Sequence, residues 1–197
     1  GGSYEEAAVL YRSNAQSRAI EEALLRVSIP YRIYGGLRFY ERLEIKNAIS
    51  YLRIIFNNND NPSFERSISN PTRGVGEKTL AKIRNAAKQY NISYIKASAK
   101  LIDEGKISGR GGSGLKDYLE FIAGCKGFIE ENSLSDLMEL IIKETGLYAY
   151  HAKEAGEKGK TRTENLEELI TATKNFEQSI KDERTNIEIA ESYLDII

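Results

Sequence analysis

The sequence predicts a mainly α-helical protein that begins with a small α/β segment. Apolar residues recur at helical spacing from about residue 41 to residue 176, whereas only two short stretches, both within the first 40 residues, read as strands. The 197 residues contain 41% hydrophobic and 29% charged side chains and three prolines, a balance typical of a globular chain with a sizeable core.

Two strands and a helix are predicted in the first 40 residues. Residues 7–11 form an apolar run that favours a buried strand, and residues 20–27 carry apolar side chains at helical spacing. Residues 31–34 alternate like a second strand, which ends at Gly35 and Gly36.

Helices dominate the remainder of the chain. The predicted apolar faces consist of Ile45, Ala48, Ile49, Leu52 and Ile55; Leu80, Ile83 and Ala87; Leu115, Tyr118, Leu119 and Ile122; Leu137, Leu140 and Ile141; Leu166, Leu169, Ile170 and Thr173. The polar tract 57–62 is predicted to be a loop, the glycine-rich residues 109–114 and the polar residues 153–163 are predicted to be connections, and the charged segment after Phe176 is predicted to be loosely held.

Composition excludes several classes of function. No apolar run approaches the ~20 residues that a membrane span needs, and the first residues lack the features of a signal peptide, so a cytoplasmic protein without a membrane partner is expected. The single cysteine, Cys125, and the single histidine, His151, are too few for a disulfide, a zinc site or an ordinary nucleophilic triad. We therefore expect no metal site and no catalytic residue.

Positive charge is concentrated in one part of the chain. Residues 64–100 carry eight basic and two acidic side chains, a local charge of +6, whereas the formal charge of the whole chain is −1. This distribution suits a protein that offers one face to a polyanion, although it also fits an ordinary solvated helix face.

Two apparent nucleotide-binding motifs are rejected. Residues 109–114 satisfy G-x-G-x-x-G, but no strand precedes them, so a flexible loop is favoured. Gly159-Lys160-Thr161 resembles the end of a P-loop, but Glu154 occupies the place of its first glycine and would repel phosphate.

The most informative local stretch is Asn70-Pro71-Thr72-Arg73-Gly74-Val75-Gly76-Glu77-Lys78-Thr79. Its proline ends one helix, its two glycines flank a small apolar residue, and Leu80 lies in the next helix. A helix-hairpin-helix needs this pattern, because the glycines let backbone N–H groups approach a phosphate and the second helix presents its positive end to the anion. An ordinary helix–helix turn with surface lysines fits the spacing equally well.

Blocks of sequence along the chain resemble the UvrD/PcrA/Rep-type superfamily one DNA helicases. These blocks are Ala8-Val9-Leu10-Tyr11-Arg12-Ser13-Asn14-Ala15-Gln16-Ser17-Arg18, Ile29-Pro30-Tyr31-Arg32-Ile33-Tyr34-Gly35-Gly36-Leu37-Arg38-Phe39-Tyr40-Glu41-Arg42, Pro71-Thr72-Arg73-Gly74-Val75-Gly76 and Thr163-Glu164-Asn165-Leu166-Glu167-Glu168-Leu169. The resemblance implies that residues 1–40 are part of the RecA-like domain 2A and that residues 41–176 form the helical 2B subdomain. Residues 177–197 would be a charged segment that returns toward 2A.

The resemblance also implies a function and its cofactors. The full-length parent would be an ATP-dependent 3′-to-5′ DNA helicase of repair or replication that uses ATP and Mg²⁺. This chain lacks the motor motifs and would be its DNA-binding accessory region, without a cofactor of its own, at the junction of single strand and duplex. The alternative is an autoregulatory or protein-interaction domain that binds repair or replication proteins.

Site residues follow from the same resemblance. Arg12 and Asn14 would bind single-stranded DNA, although Asn14 could instead cap the helix that follows. Gly35 and Gly36 would act as a hinge or form a plain turn. The expected duplex-binding residues are Thr72, Arg73, Gly74, Val75, Gly76, Lys78, Thr79 and Lys82.

Overall fold

The computed structural model describes residues 7–34, 36–180 and 182–197, and in these ranges the chain is helical with connecting turns and no strand. The α-helices are α1 (Ser17–Arg26), α2 (Leu43–Phe56), α3 (Asn61–Ser69), α4 (Glu77–Tyr90), α5 (Tyr94–Asp103), α6 (Gly109–Glu131), α7 (Leu134–Glu144), α8 (Leu147–Ala152), α9 (Glu157–Ser179) and α10 (Asn186–Ile196). Short 3-10 turns lie at Asn14–Gln16 and Phe39–Glu41. The prediction of a mainly α-helical protein is confirmed.

Helix α2 forms the centre of the core. Its Ile45, Ala48, Leu52 and Ile55 are fully buried, as the apolar spacing predicts, and α3, α6, α7 and α9 pack around it. Burying a side chain of the size of leucine contributes about 1.5–3 kcal/mol, so this one face is a large part of the stability of the fold.

Several helices begin at residues that cap them. The Asp60 carboxylate accepts a hydrogen bond from the Ser63 amide at 3.0 Å at the start of α3, so the predicted loop between α2 and α3 is confined to residues 57–60. The side chain of Ser133 caps α7 in a reciprocal arrangement with Asp136. Each such cap is worth about 1 kcal/mol, and together they fix where the helices start.

The two predicted N-terminal strands are not present among the described residues. Residues 7–11 and 31–34 form no hydrogen-bonded ladder, and Val9 and Leu10 are 59% and 95% exposed. A strand is stable only beside another strand, and the described parts of the chain offer none.

The glycine-rich residues 109–114 form the first turns of α6, so the prediction of a flexible loop is wrong. The physical reason is tertiary. A Cβ atom on Gly111 would lie 2.8 Å from the Gly74 carbonyl oxygen, and one on Gly114 would collide with the Arg73 carbonyl oxygen. These glycines are helical because the chain at residues 73–74 packs directly against their backbone, which outweighs their poor helix propensity.

Two further predictions about connections need correction. Helix α9 already begins at Glu157, so only residues 153–156 link it to α8. In the segment after Phe176, residues 186–196 form α10, which buries Ala190 and Tyr193, so this part of the segment is packed rather than loosely held. In both places the helix is stabilised by packing against residues distant in sequence, which a prediction from local sequence does not include.

The longest helices, α6 and α9, have 23 residues each. Among the residues that the structure describes, no helix is both long and apolar enough to cross a membrane.

Candidate nucleic-acid interface

A seven-residue loop, residues 70–76, joins α3 to α4; we call it the hairpin loop. Gly74 has a φ of +74°, a left-handed conformation that glycine adopts without the steric cost other residues bear. Val75 is buried, whereas Gly74 and Gly76 on either side of it, and Thr72 earlier in the loop, are exposed. The loop therefore presents backbone to solvent on both sides of one apolar anchor.

Gly76 occupies the N-cap position of α4. Its φ is −95° and its ψ is −179°, and no side chain caps the first turn of the helix. The Thr79 amide donates to the Gly76 carbonyl oxygen at 3.0 Å. The amides of the first two helical residues, Glu77 and Lys78, have no acceptor within the helix, so they can donate to an anion at the positive end of the helix dipole. A Cβ atom on Gly76 would meet nothing within 4 Å, so this approach is sterically open.

The side chain of Arg73 points into the protein. Its guanidinium donates to the carbonyl oxygens of Ser67 (3.2 Å), Pro71 (2.8 Å) and Thr145 (3.2 Å). It also lies 5.5 Å from the ring centroid of Tyr51 and 5.7 Å from that of Tyr118. Arg73 thus supports the hairpin loop from the side of the core, and its place among the expected duplex-binding residues stays a prediction.

Two buried tyrosines complete the support under the hairpin loop. The hydroxyl of Tyr51 donates to the carbonyl oxygens of Ser67 (2.6 Å) and Asn70 (2.9 Å). The hydroxyl of Tyr118 lies 2.6 Å from the Ser67 hydroxyl. Burial raises the pKa of both phenols, so they stay neutral and keep their protons for these bonds.

The outer face of α4 carries positive charge that acidic residues do not offset. Lys78 and Lys82 are exposed one turn apart, and the Lys82 ammonium donates to the carbonyl oxygen of Lys106 at 3.0 Å. On the other side of the helix, Arg84 pairs with Glu65 at 2.6 Å and with Glu77 at 2.5 Å. The carboxylates are therefore committed to Arg84, and the two lysines remain available to an external anion.

The predicted buried face of α4 is confirmed. Leu80, Ile83 and Ala87 are each at most 8% exposed. Thr79 lies between this face and the lysines and is partly exposed. The structure thus brings together the hairpin-loop backbone, Lys78, Thr79 and Lys82 on one surface.

The predicted single-strand residues lie in a different element. Asn14 begins the 3-10 turn Asn14–Gln16, and the N-cap position of α1 belongs to Gln16 rather than to Asn14. The Gln16 side chain accepts a hydrogen bond from the Arg12 amide at 2.9 Å. Arg12 itself is exposed.

Of the two predicted hinge glycines, Gly35 lies outside the described residues. Gly36 is exposed, and a Cβ atom placed on it would come no closer than 3.9 Å to Ile33. Neither the hinge nor the plain-turn interpretation is decided by this geometry, so both stay predictions.

The rejected P-loop-like motif has a packing explanation. Gly159 lies in the first turn of α9 and is buried. A Cβ atom there would collide with the Glu154 carbonyl oxygen and lie 2.8 Å from that of His151. The glycine lets α9 approach α8 closely.

A basic cleft between α2 and α3 was missed by the sequence reasoning. It is open, has a volume of about 270 Å³, and is lined among others by Lys46, Arg53 and Arg66. Lys46 and Arg53 are seven residues apart on α2 and so lie on one face of the helix, a spacing that is visible in the sequence. Arg66 lies beside them in the cleft because α3 folds back against α2, which the sequence does not show.

In the residues that the structure describes, these features define a helical protein that presents a basic helix–loop–helix element at its surface. The profile of the UvrD-like helicase C-terminal domain matches residues 1–108, and the chain belongs to that family. It is 47% identical to "DNA helicase II" of Escherichia coli over 93% of its length and 48% identical to "DNA helicase II" of Haemophilus influenzae over 89%. It is 37% identical to "ATP-dependent DNA helicase PcrA" of Bacillus subtilis over 89% of its length. The chain spans about a quarter of the length of these relatives.

Proposed function

We propose that this chain is the DNA-binding accessory region of an ATP-dependent 3′-to-5′ DNA helicase. The names of the similar proteins support a helicase parent. The observation that carries the DNA-binding role is the hairpin loop, which combines open first-turn amides with uncompensated lysines on α4. ATP and Mg²⁺ would be used by the parent, and this region would contact DNA at the junction of single strand and duplex.

The hairpin loop is proposed as a helix-hairpin-helix element that binds duplex phosphates without reading sequence. Backbone N–H groups around Gly74 and Gly76 would donate to phosphate oxygens, as helix N-termini do in other anion sites. Lys78 and Lys82 would supply the electrostatic part of the affinity, and Thr72 and Thr79 would add hydroxyl contacts. Arg73 and Val75 keep a place in the site by supporting the loop, since both side chains face the core.

The first 40 residues are proposed as part of a RecA-like domain 2A that sequence outside this chain completes. Exposed apolar side chains gather in this segment, among them Leu10 (95%), Leu25 (60%), Val27 (62%) and Leu37 (58%). A surface of this kind is typical of a region that another element covers. Residues 41–176 would then form the 2B subdomain, and residues 177–197 would lead back toward 2A.

The test is a salt titration of duplex binding. Lys78→Glu combined with Lys82→Glu should weaken binding to a fluorescent duplex with a single-stranded tail. Each lost phosphate contact should lower the slope of log affinity against log salt by about 0.9. The matched control is Lys126→Glu with Lys174→Glu, which makes the same charge change at exposed positions on α6 and α9.

A second variant separates backbone contact from charge. Gly76→Val should fold, because φ is negative and the space around a Cβ atom is empty, yet its side chain would stand where a phosphate must approach. The positive φ of the hairpin loop belongs to Gly74, so a side chain at position 76 meets no backbone strain of that kind. Circular dichroism checks that helix content is retained.

The outcomes distinguish the two candidate functions. An unchanged salt slope in the double reversal, with normal helix content, would leave the hairpin loop as a structural turn and favour the autoregulatory or protein-interaction role. For the single-strand residues, Arg12→Ala and Asn14→Ala in the full-length parent should weaken single-strand binding by about 1 to 3 kcal/mol each without loss of thermal stability. A loss of stability with unchanged affinity would assign them a structural role instead.

A further inference from the structure

The basic cleft between α2 and α3 holds positive charge that no acidic residue in its lining offsets. Lys46 and Arg53 of α2 and Arg66 of α3 line it, and among the residues that the structure describes no aspartate or glutamate does. In the same described part of the chain, the side chains of Lys46 and Arg53 have no hydrogen-bond or ion-pair partner. A cleft lined by charge of one sign concentrates ions of the opposite sign. The basic cleft is therefore a candidate site for an anionic ligand.

The guanidinium of Arg66 is oriented by a neutral group. Its Nη1 donates to Asn47 Oδ1 at 3.2 Å, and Asn47 is 2% exposed. Because an amide carries no charge, this contact fixes the guanidinium without neutralising it. The acidic residues that neighbour Arg66 in sequence are engaged elsewhere, since Asp60 caps α3 and Glu65 pairs with Arg84. All three cations of the cleft thus keep their charge for a ligand.

The spacing of the cations indicates what such a ligand carries. Lys46 and Arg53 are seven residues apart on α2, which separates them by about 10 Å along the helix axis. A ligand that pairs with both cations therefore has two anionic groups at a similar separation. A site for a whole small molecule usually encloses it and has a volume of roughly 300–1,000 Å³. The basic cleft is open and has a volume of about 270 Å³, so it suits a segment of a longer chain.

The remaining lining favours a peptide over a nucleic acid strand. Ile49 and Pro62 add apolar surface to the cleft, and a peptide can place an apolar side chain there between two carboxylates. Single-stranded nucleic acid binds instead by stacking its bases on aromatic rings. Tyr40 lines the cleft, but its hydroxyl is bonded to that of Tyr193 and its ring packs edge-to-face against Phe39, so it does not offer a free ring for stacking.

An extended peptide also matches the spacing of the cations. In the polyproline II conformation, side chains three residues apart lie on the same side of the chain and about 9 Å from each other. Two acidic residues at this interval would face Lys46 and Arg53 together. The residues between them would lie over the apolar part of the cleft.

We propose that the basic cleft is a docking site for an extended acidic segment of a partner protein. Two carboxylates three residues apart pair with Lys46 and Arg53, Arg66 contacts the segment from α3, and an apolar side chain lies against Ile49. This role goes beyond the proposed DNA binding and does not depend on it, because no residue of the hairpin loop lines the cleft.

Fluorescence anisotropy with the 197-residue chain at low salt tests this directly. The probe is a labelled six-residue peptide with two glutamates three residues apart, valine and proline between them, and a glycine at each end. The same peptide with glutamines in place of the glutamates should bind about tenfold more weakly, because it lacks the charges that pair with the cleft. Raising the salt concentration should weaken binding of the glutamate peptide and leave the glutamine peptide unaffected.

A charge reversal locates the site. Lys46→Glu combined with Arg53→Glu should weaken binding of the glutamate peptide at least about tenfold, because two attractive contacts become repulsive. The matched control is Lys126→Glu with Lys174→Glu, which makes the same change of net charge at exposed positions on α6 and α9. A labelled single-stranded oligothymidylate is titrated against the same two variants.

Each outcome bears on the proposal. Binding of the glutamate peptide that is lost in the cleft variant and kept in the control variant supports it. Equal affinity of the two peptides, or no binding of either at millimolar concentration, would overturn it, and this comparison needs no variant to fold. An equal loss in both variants would mean that only net charge matters and would also overturn it. A cleft variant that loses oligothymidylate but keeps the peptide would replace the proposal with a nucleic-acid surface.

Discussion

Gly114→Ala on α6 tests whether the hairpin loop packs directly against the glycines at the start of α6. The added methyl group would collide with the Arg73 carbonyl oxygen and lie 3.0 Å from the Arg73 Cβ. The loop cannot move away cheaply, because the Arg73 guanidinium is fixed by three carbonyl oxygens. Overpacking of this kind costs about 1–3 kcal/mol.

The same helix provides the control. A Cβ atom on Gly124 would meet nothing within 4 Å, so Gly124→Ala should gain about 0.5–1 kcal/mol from helix propensity alone. The propensity gain is common to both variants, and their unfolding free energies should therefore differ by about 1–3 kcal/mol, the overpacking term.

Urea denaturation followed by circular dichroism measures this difference. With a slope of about 2 kcal/mol per molar urea, the midpoint of Gly114→Ala should lie about 0.5–1.5 M below that of Gly124→Ala. Equal midpoints would refute the reasoning, since they would mean that the loop yields to the methyl group without cost. If the hairpin loop binds DNA, Gly114→Ala should also weaken duplex affinity and Gly124→Ala should not.

Three further predictions concern Arg73, Glu154 and nucleotide turnover. Arg73→Lys should lower the free energy of unfolding by about 2 kcal/mol, because an ammonium cannot reach three carbonyl oxygens and stack on two rings; unchanged thermal stability would mean that the guanidinium is not used this way. The hydrogen bond from His151 lowers the pKa of Glu154 to about 2, so its stabilisation is present above about pH 4.5 and is lost as the pH falls toward 2. Glu154→Gln should remove that part of the acid sensitivity, and an unchanged acid-unfolding profile would contradict the assignment. The chain should show no ATP turnover, with or without DNA, and Lys160→Ala should change nothing; steady turnover that survives this substitution and further purification would overturn the assignment.

Most of the helices between residues 41 and 176 could be predicted from sequence. The apolar faces of α2 and α4 repeat at helical spacing, and the residues they predicted as core are buried. Such faces can be predicted because the spacing of residues along a helix determines which side chains share a face, whichever element packs against it. The position of the turn between α3 and α4 could be predicted for a similar reason. Its proline restricts the backbone conformation and its glycines widen it, and both effects are local.

The errors share one cause. Residues 109–114 look like a loop by composition, yet they are helical because the chain at residues 73–74 packs against them. The apolar run at residues 7–11 looks like a strand, yet no neighbouring strand exists among the described residues. Both outcomes depend on which other parts of the chain pack against these residues, and local sequence does not show that.

The sequence by itself determined the helical class, the position of the hairpin loop and the resemblance to a helicase family that the comparisons confirm. Only the tertiary structure decided which way polar side chains point. Arg73 points inward beneath the hairpin loop, Arg18 of α1 points toward Glu168 of α9, and Glu21 of α1 points toward the Phe39 amide. Periodicity reports which residues share a face of a helix, but the direction of that face is set by what packs against it. A charged side chain turns inward only where the fold supplies partners for its charge.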